Sequence, residues 1–309
     1  MILIADSGST KTDWRVLEQN QVIAQTQTVG FNPYYQDADS IANELKTSLL
    51  PLLIDLTPTP LHFGEGLTEV KISHRSEKYS PSSDFVSQVF YYGTGVTNEE
   101  KAGVIKEAIL QVFPTCEQIE AQSDVVGAAR AACGRSAGIA CILGTGSNSI
   151  YFDGEKTGFQ VPPLGFWLGD EGSGGHLGKT LLLSYLHKEM SSEIREKFEQ
   201  KFGVMDRLTV LENAYHKSFP NRYFASFSRF LFDNLEDDFC GNLVENCFLQ
   251  FFQKYILKYP MCHETDVNFV GSVAFYYKDL LIKVADNQGI KVGKILKSPI
   301  DGLVEFHLQ

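Results

Sequence analysis

Residues Met1–Thr12 read MILIADSGSTKT, and this stretch decides the fold. Met1–Ala5 is a short apolar run that predicts a buried strand, and the glycine- and hydroxyl-rich Asp6–Thr12 predicts a tight turn. Small residues let a backbone approach a phosphate closely, and the N–H groups and hydroxyls of such a turn can surround its oxygens. The turn is not a P-loop, because the G-x-x-x-x-G-K-[ST] spacing is absent and a strand is predicted to follow. Taken alone, the stretch fits a polar hairpin and a phosphate site equally well.

The same layout recurs in the second half of the chain. Each half shows an apolar strand, a small-residue turn, and two further strands joined by a tight turn. The strands predicted after the small-residue turns are Asp13–Glu18 and Gln21–Val29 in the first half, and Ser149–Asp153 and Lys156–Val161 in the second. With 309 residues the chain also exceeds the size, about 250–300 residues, at which single cores stop growing. The sequence therefore predicts two domains, 1–119 and 120–309.

The small-residue turn of the second half is Gly144–Asn148, which reads GTGSN and follows the apolar strand Gly138–Leu143. It is not a dinucleotide-binding G-x-G-x-x-G motif, because Ser149 stands at the last glycine position and a strand follows instead of a helix. A plain hairpin is the alternative interpretation. If the two halves face each other across a cleft, the two turns would hold a polyphosphate from both sides.

Two further segments carry carboxylates that could act on a substrate. Asp124 precedes a predicted helix, and since Asp is also an ordinary N-cap residue, capping is the simpler interpretation of this residue alone. A helix N-terminus stabilises an ionised carboxylate by about 0.3–1 kcal/mol, and a base that activates a hydroxyl must be ionised. Gly169–Gly175 places Asp170 and Glu171 among four glycines. Glycines lose more conformational entropy than other residues on folding, and an ordinary loop has little reason to carry that cost four times. The glycines therefore favour a backbone that comes close to a ligand.

Helical and strand spacing organise the rest of the chain. Val267–Val270 is predicted as a buried strand that turns through Gly271–Ala274 into a helix ending near Asp286, and a flat adenosine could lie on this turn. An ordinary strand–helix turn is at least as compatible with the pattern. The other predicted elements are a helix over residues 40–54, a strand over Phe85–Tyr92, a helix over Asn98–Phe113, and a mainly helical region after residue 175.

Composition argues against several classes of protein. The net charge is −11 and the pI about 5.1, a balance without the basic footprint of proteins that bind nucleic acid or anionic membranes. No apolar run approaches the roughly 18 residues of a membrane span, and the N-terminal residues do not resemble a signal peptide. Six scattered cysteines without a C-x-x-C pair predict reduced thiols packed in the fold. We therefore expect a cytoplasmic protein with no nucleic-acid or membrane partner.

In order and spacing, these motifs resemble the superfamily of actin, Hsp70 and sugar-kinase ATPases. Asp6–Thr12, Ser123-Asp124, Gly144–Asn148 and Gly169–Ser173 are most similar to N-acetylglucosamine kinases and the related BadF/BadG-type ATPases. The resemblance implies an α/β fold of two RNase H-like, actin-like ATPase domains around a central cleft, with helical additions in the C-terminal domain. It also implies the cofactors ATP and Mg²⁺ and a small-molecule sugar as partner, and it leaves a homodimer open.

The resemblance also implies roles for individual residues. Asp124 would be the catalytic base on the sugar 6-hydroxyl, and Asp6 would be the Mg²⁺ partner. Sugar contacts would come from Asn32, Gly93, Thr94, Asp124, Thr145 and Asp170. ATP contacts would come from Ser7, Gly8, Ser9, Thr10, Lys11, Thr12, Gly144, Thr145, Gly146, Ser147, Asn148, Gly271, Ser272 and Ala274.

The implied reaction is transfer of the γ-phosphate of ATP to an amino sugar, with the 6-hydroxyl of N-acetylglucosamine as first choice. N-acetylglucosamine kinases carry a tryptophan six residues before the aspartate of Gly-Asp-Glu-Gly, whereas this chain has Leu164 there and Trp167 closer by. N-acetylmuramate or another hexosamine therefore stays open as the acceptor. A BadF-type ATPase that activates a partner enzyme, with Cys133 and Cys141 holding an iron–sulfur cluster, is a second hypothesis. A nucleotide-gated protein of the actin or Hsp70 kind is a third, although the chain is short for it.

Overall fold

The computed structural model describes residues 1–8, 10–56 and 85–309. The described chain forms two compact units, Met1–Asp124 and Val125–Gln309, and each combines one sheet with helices. The α/β class predicted from the sequence is therefore confirmed. The predicted division after residue 119 would cut a strand, Gln118–Ser123, that pairs within the N-terminal sheet, and the units divide after this strand.

The N-terminal sheet has the strand order β3-β2-β1-β4-β5. Its strands are β1 (Ile2–Ser7), β2 (Lys11–Glu18), β3 (Gln21–Val29), β4 (Gln88–Gly93) and β5 (Gln118–Ser123). Strands β1, β2 and β3 form the predicted antiparallel meander, while β1, β4 and β5 run parallel. Ser7 is in register with Gly93, and Gly93 with Ser123, so the carboxyl ends of the three parallel strands are level at one edge of the sheet.

Helices α1 (Ala38–Glu44), α2 (Leu50–Leu56) and α3 (Glu99–Val112) pack on one face of this sheet, where their apolar residues share a core with Leu3, Ala5, Val89 and Tyr91. The helix predicted over 40–54 forms, but a π-helical turn, Leu45–Leu49, interrupts it. Pro51 follows this turn, and a proline has no N–H to continue the α-helical hydrogen bonds. The helix predicted over Asn98–Phe113 is confirmed, with Asn98 as its N-cap.

The C-terminal sheet has the order β7-β6-β8-β9. Its strands are β6 (Gly138–Leu143), β7 (Ser147–Phe152), β8 (Val267–Val270) and β9 (Val292–Leu296), and only β7 runs antiparallel to its neighbour. The third strand predicted over Lys156–Val161 is wrong. The segment pairs with β7 only through an isolated bridge between Phe152 and Thr157 and backbone hydrogen bonds of Tyr151 with Gly158 and Phe159, and Pro162 and Pro163, which have no N–H to donate, follow it.

Eleven helices of the C-terminal region surround this sheet, which agrees with the helical region predicted after residue 175. They are α4 (Asp124–Cys133), α5 (Gly165–Leu168), α6 (Gly174–Leu186), α7 (Ser192–Phe202), α8 (Arg207–Tyr215), α9 (Pro220–Ala225), α10 (Ser228–Asp233), α11 (Asp238–Lys254), α12 (Ser272–Tyr276), α13 (Lys278–Asn287) and α14 (Ile300–Leu308). The single helix predicted to end near Asp286 is instead two, α12 and α13, which meet at Tyr277. Much of the hydrophobic core that the helices and the sheet of this unit share is aromatic, including Phe198, Phe230, Phe248 and Phe251.

All six cysteines are free and buried, as the composition predicted. Burial raises the pKa of each thiol, for example that of Cys133 to about 11, so these groups stay protonated at neutral pH. Within the described parts of the chain, no helix has both the length and the apolar character needed to cross a bilayer.

Candidate active site

The turn between β1 and β2 is braced from inside by two buried hydroxyls. Ser7 Oγ and Thr12 Oγ1 lie 2.7 Å apart, Thr12 donates to the carbonyl of Val29 at 3.0 Å, and the N–H of Phe31 donates to Ser7 Oγ at 3.1 Å. Ser7 and Thr12 were expected to contact ATP, but these hydrogen bonds occupy their hydroxyls with the fold itself. The groups of this turn that face solvent belong to Gly8, Thr10 and Lys11, and Ser9 lies outside the described residues.

The residues expected to contact sugar in the N-terminal unit lie together at the level strand edge. The N–H of Thr94 donates to the carbonyl of Ser7 at 2.9 Å, which joins the turn after β4 to the end of β1. A side chain at Gly93 would collide with Tyr91, whose hydroxyl oxygen lies 2.5 Å from the position of a Cβ. Asn32 lies against Gly95, where a Cβ would overlap its side-chain oxygen. Glycine is therefore required at positions 93 and 95 of this edge, and the side-chain amide of Asn32 lies beside them.

Two carboxylates, Asp6 and Asp124, share this edge. Asp6 is near the end of β1, and Asp124 directly follows β5 as the first residue of α4. The pKa of Asp6 is raised to about 7, first by burial and then by the negative charges of Asp124 and Asp13, while Lys11 lowers it. Neighbouring carboxylates that repel each other gain from a cation, and Mg²⁺ commonly binds one or two carboxylates together with phosphate and water. The pair therefore fits a magnesium ion. No three His, Cys, Asp or Glu side chains cluster as metal ligands in residues 1–8, 10–56 and 85–309.

In the C-terminal unit, the N-terminus of α6 supports the turn between β6 and β7. The N–H of Gly174 donates to the carbonyl of Gly144 at 2.8 Å, and that of Gly175 donates to the carbonyl of Thr145 at 3.0 Å. These helix N–H groups are therefore used by the protein. Thr145 is exposed, whereas Asn148 accepts from Gln160 Nε2 at 3.0 Å and from the N–H of Ser149 at 2.8 Å, so its side-chain oxygen serves the hairpin.

The turn after β8 lies directly against the start of this hairpin. Gly271 has φ 125°, and a Cβ at this position would overlap the carbonyl oxygen of Leu143 and lie 3.2 Å from the backbone nitrogen of Gly144. Only glycine combines this backbone with such a close approach. The predicted adenosine segment and the predicted second phosphate turn therefore adjoin. Ser272 is exposed there, while Ala274 is buried in the hydrophobic core.

Asp170 connects the glycine-rich turn to the same hairpin. Its Oδ1 accepts the N–H of Ser147 at 3.2 Å, and its backbone is left-handed, with φ 59°. A Cβ at Gly146 would lie 3.0 Å from Oδ2, so glycine leaves room for the carboxylate. Burial raises the pKa of Asp170, and the hydrogen bond from Ser147 opposes this shift.

The contribution of Glu171 could not be predicted from local sequence. It is 6% exposed and accepts hydrogen bonds from Lys254 Nζ at 2.5 Å and from the Tyr255 hydroxyl at 2.9 Å. Burial raises the pKa of Glu171, but the two bonds, a backbone hydrogen bond at Glu171 and the positive charge of Lys254 together leave the pKa below its usual value. The glycine-rich stretch indicated a ligand site, but no pattern within it predicts hydrogen bonds from Lys254 and Tyr255, which lie more than 80 residues later in the sequence.

Comparison with solved structures identifies the family. A candidate N-acetylglucosamine kinase from Porphyromonas gingivalis is 38% identical to this chain and superposes on it with a TM-score of 0.86. The alignment covers 100% of this chain and 99% of the Porphyromonas gingivalis chain. The chain belongs to the N-acetylglucosamine kinase family. This confirms the resemblance drawn from the motifs and the predicted pair of actin-like domains. The protein is an ATP-dependent sugar kinase.

More distant structures share the kinase fold. A candidate N-acetylglucosamine kinase from Chromobacterium violaceum is 16% identical to this kinase and has a TM-score of 0.71. The alignment covers 100% of this kinase and 98% of the Chromobacterium violaceum chain. At that identity the likeness concerns the fold alone. No protein-family profile and no curated protein matches the kinase.

Proposed function

We propose that the kinase phosphorylates the 6-hydroxyl of an amino sugar, with N-acetylglucosamine as the acceptor. The single observation that carries the proposal is the level edge of the N-terminal sheet, where Asp124 lies close enough to Asp6 to raise its pKa. The carboxyl ends of parallel strands are where α/β proteins bind ligands. The name of the Porphyromonas gingivalis relative supports the choice of acceptor.

In this proposal the N-terminal unit supplies the chemical groups. Asp124 is the base, because it begins a ten-residue helix whose N-terminus favours the ionised carboxylate. It would orient the sugar hydroxyl and accept its proton, and Asn32, Gly93 and Thr94 would border the sugar. Asp6 would hold Mg²⁺, through water or directly. The bound ion would neutralise charge on the phosphates.

The C-terminal unit supplies nucleotide contacts in this proposal. The backbone of Thr145 and Gly146 would approach the phosphates, since the hairpin there is held by α6 and by Asp170. Gly271 and Ser272 would border the nucleoside, because their turn adjoins Gly144. Phosphoryl transfer needs positioning and charge neutralisation more than covalent chemistry, and both turns are suited to positioning.

The identity of the amino sugar depends on a part of the chain that differs from the family pattern. Leu164 is 59% exposed in place of the family tryptophan, and Trp167 is 50% exposed and stacks on Tyr215 with ring centroids 5.5 Å apart. N-acetylmuramate and other hexosamines therefore remain alternatives to be tested. A BadF-type activator receives no support, because Cys133 and Cys141 are 9% and 0% exposed and neither is available to hold a cluster at a protein surface.

The deciding experiment measures ADP release with ATP, Mg²⁺ and a panel of acceptors. N-acetylglucosamine should stimulate ADP release well above glucose, glucosamine and N-acetylmuramate, and phosphorus NMR should place the phosphate on oxygen 6. The matched control is 6-deoxy-N-acetylglucosamine, which keeps the acetamido group but lacks the accepting hydroxyl and should not stimulate. ATP turnover that no sugar alters would instead favour an ATPase that acts on another protein.

A further inference from the structure

Glu171 is a buried carboxylate for which the proposed phosphoryl transfer has no task. It directly follows Asp170 and is 6% exposed. Taking a carboxylate out of water is costly unless hydrogen bonds and an opposite charge compensate it. An uncharged residue at this turn would avoid that cost, so the buried charge calls for another explanation.

Both oxygens of Glu171 are engaged by the end of one helix. Lys254, the last residue of α11, lies with Nζ 2.5 Å from Oε1, and the hydroxyl of the next residue, Tyr255, donates to Oε2 at 2.9 Å. Lys254 remains 57% exposed along its side chain, so its stem reaches from the surface to a buried partner. The two bonds fix the carboxylate in both position and plane.

The same helix end also packs against the backbone on both sides of the acidic pair. A Cβ at Gly169 would lie 2.8 Å from the Tyr255 hydroxyl, and a Cβ at Gly172 would lie 2.9 Å from Cβ of Phe251. Between these glycines, Asp170 has a left-handed backbone, which costs a non-glycine residue about 1–3 kcal/mol and persists only where its surroundings hold it. Glu171 adds to this packing the two hydrogen bonds that join the turn to the end of α11.

The enforced conformation aims Asp170 at the second hairpin. In this conformation its Oδ1 receives the N–H of Ser147 at 3.2 Å, next to the turn proposed to bind phosphate. A continuous series of contacts thus runs from Lys254 through Glu171 and Asp170 to Ser147. Displacing Glu171 should free Asp170 to relax, and the hairpin would lose this support.

We propose that Glu171 is a positioning residue, held by Lys254 and Tyr255 so that Asp170 supports the Gly144–Asn148 turn. This inference rests on the proposed function for the nucleotide contact of the turn, and the support of the turn is testable with ADP alone.

The test compares Glu171→Gln, Lys254→Met and Lys254→Arg with the unmodified kinase. The first two should raise the KM for ATP about threefold or more and weaken ADP binding, measured by calorimetry without sugar, by a similar factor. Lys254→Arg keeps the charge and should stay within about twofold in both. Lys283→Met is the matched control, because Lys283 is 59% exposed and pairs with Glu245 of the same helix α11 at 2.8 Å, away from the turn.

A merely structural role predicts a different result. If Glu171→Gln and Lys254→Met lower the melting temperature but leave the KM and the ADP affinity unchanged, the inference is overturned. Should Glu171→Gln not fold, Tyr255→Phe removes only one hydrogen bond and should show a smaller shift in the same two constants, and an unchanged pair of constants would overturn the inference equally. A kinase inactive on every sugar would end the proposed function, while the ADP measurement would still decide on the support of the turn.

Discussion

Asp170 accepts the backbone N–H of Ser147 at 3.2 Å, and this bond joins two turns that are separate in the sequence. The glycine-rich turn before α6 thereby becomes part of the hairpin between β6 and β7. The bond is buried, since Asp170 is 7% and Ser147 6% exposed. A hydrogen bond to a charged group in such a place contributes more than a neutral one at the surface.

Two substitutions at Asp170 distinguish the contribution of its negative charge from that of its hydrogen bond with Ser147. Asp170→Ala should lower the free energy of unfolding by about 1–3 kcal/mol, because the N–H of Ser147 loses its buried acceptor. Asp170→Asn keeps an acceptor oxygen and should lose less than about 1 kcal/mol, while both variants lose activity if the carboxylate contacts the sugar. Urea denaturation and steady-state kinetics measure the two effects. Equal stability of the two variants would show that the hydrogen bond contributes little.

Asp124→Asn tests the proposed base. The variant should lower kcat by about 10²–10⁴-fold with little change in ATP affinity, because an amide can still accept a hydrogen bond but cannot take the proton. Asp206→Asn is the control for a purely capping role, since Asp206 caps α8 through the N–H groups of Leu208 and Thr209. That variant should keep kcat. Near-normal turnover in Asp124→Asn would remove the residue from the role.

Gly271→Ala tests the contact between the β8–α12 turn and the β6–β7 hairpin. The added methyl group would overlap the carbonyl oxygen of Leu143 and force a side chain onto a backbone with φ 125°. We expect a loss of about 3–5 kcal/mol in unfolding free energy, together with weaker ADP binding. Gly203→Ala is the control, because Gly203 also has a positive φ of 77° but nothing lies within 4 Å of its Cβ position. It should lose only about 1–2 kcal/mol. Similar losses at the two sites would argue against the close contact at Gly271.

The stability of the kinase should depend on His176 in acid. Burial lowers the pKa of His176 to about 4, from about 6.5 when unfolded, and its Nδ1 accepts the N–H of Gly172 at 3.3 Å. Between these values the unfolded chain binds the extra proton, so the contribution is present above pH 6.5 and is lost as the pH falls towards 4. His176→Asn keeps an acceptor for the N–H of Gly172. It should reduce the slope of the unfolding free energy against pH by up to the equivalent of about one proton bound on unfolding.

Urea denaturation at several pH values between 4 and 7 measures the effect as the difference between the kinase and the variant. Comparing differences is necessary because other groups titrate in the same window. Burial also lowers the pKa of His307 to about 4, with the same sign, whereas the raised pKa of Asp6, about 7, makes its contribution fall as the pH rises. His307→Asn should reduce the dependence independently. Parallel curves for the kinase and His176→Asn would contradict the assignment.

Much of the fold was predictable because its signals are local. Gln21–Val29, Gly138–Leu143 and Val267–Val270 form strands with the predicted bounds, since each is an apolar or alternating run between turn residues. Strand β5, Gln118–Ser123, was not predicted, because QIEAQS is largely polar and becomes a strand through its pairing with β4. The edge strand β9 was also missed, because Gly293 and Lys294 interrupt its short apolar run and it becomes a strand by pairing with β8.

The candidate site divides in the same way. The sequence by itself determined the turns after β1, β6 and β8 and the acidic residues beside them, because glycines and small polar residues mark such turns whatever the rest of the chain does. Only the tertiary structure decided that the hydroxyls of Ser7 and Thr12 face inward, that Asp170 holds Ser147, and that Lys254 reaches Glu171. These are contacts between distant or opposing segments, and they depend on which strands and helices become neighbours once the chain has folded.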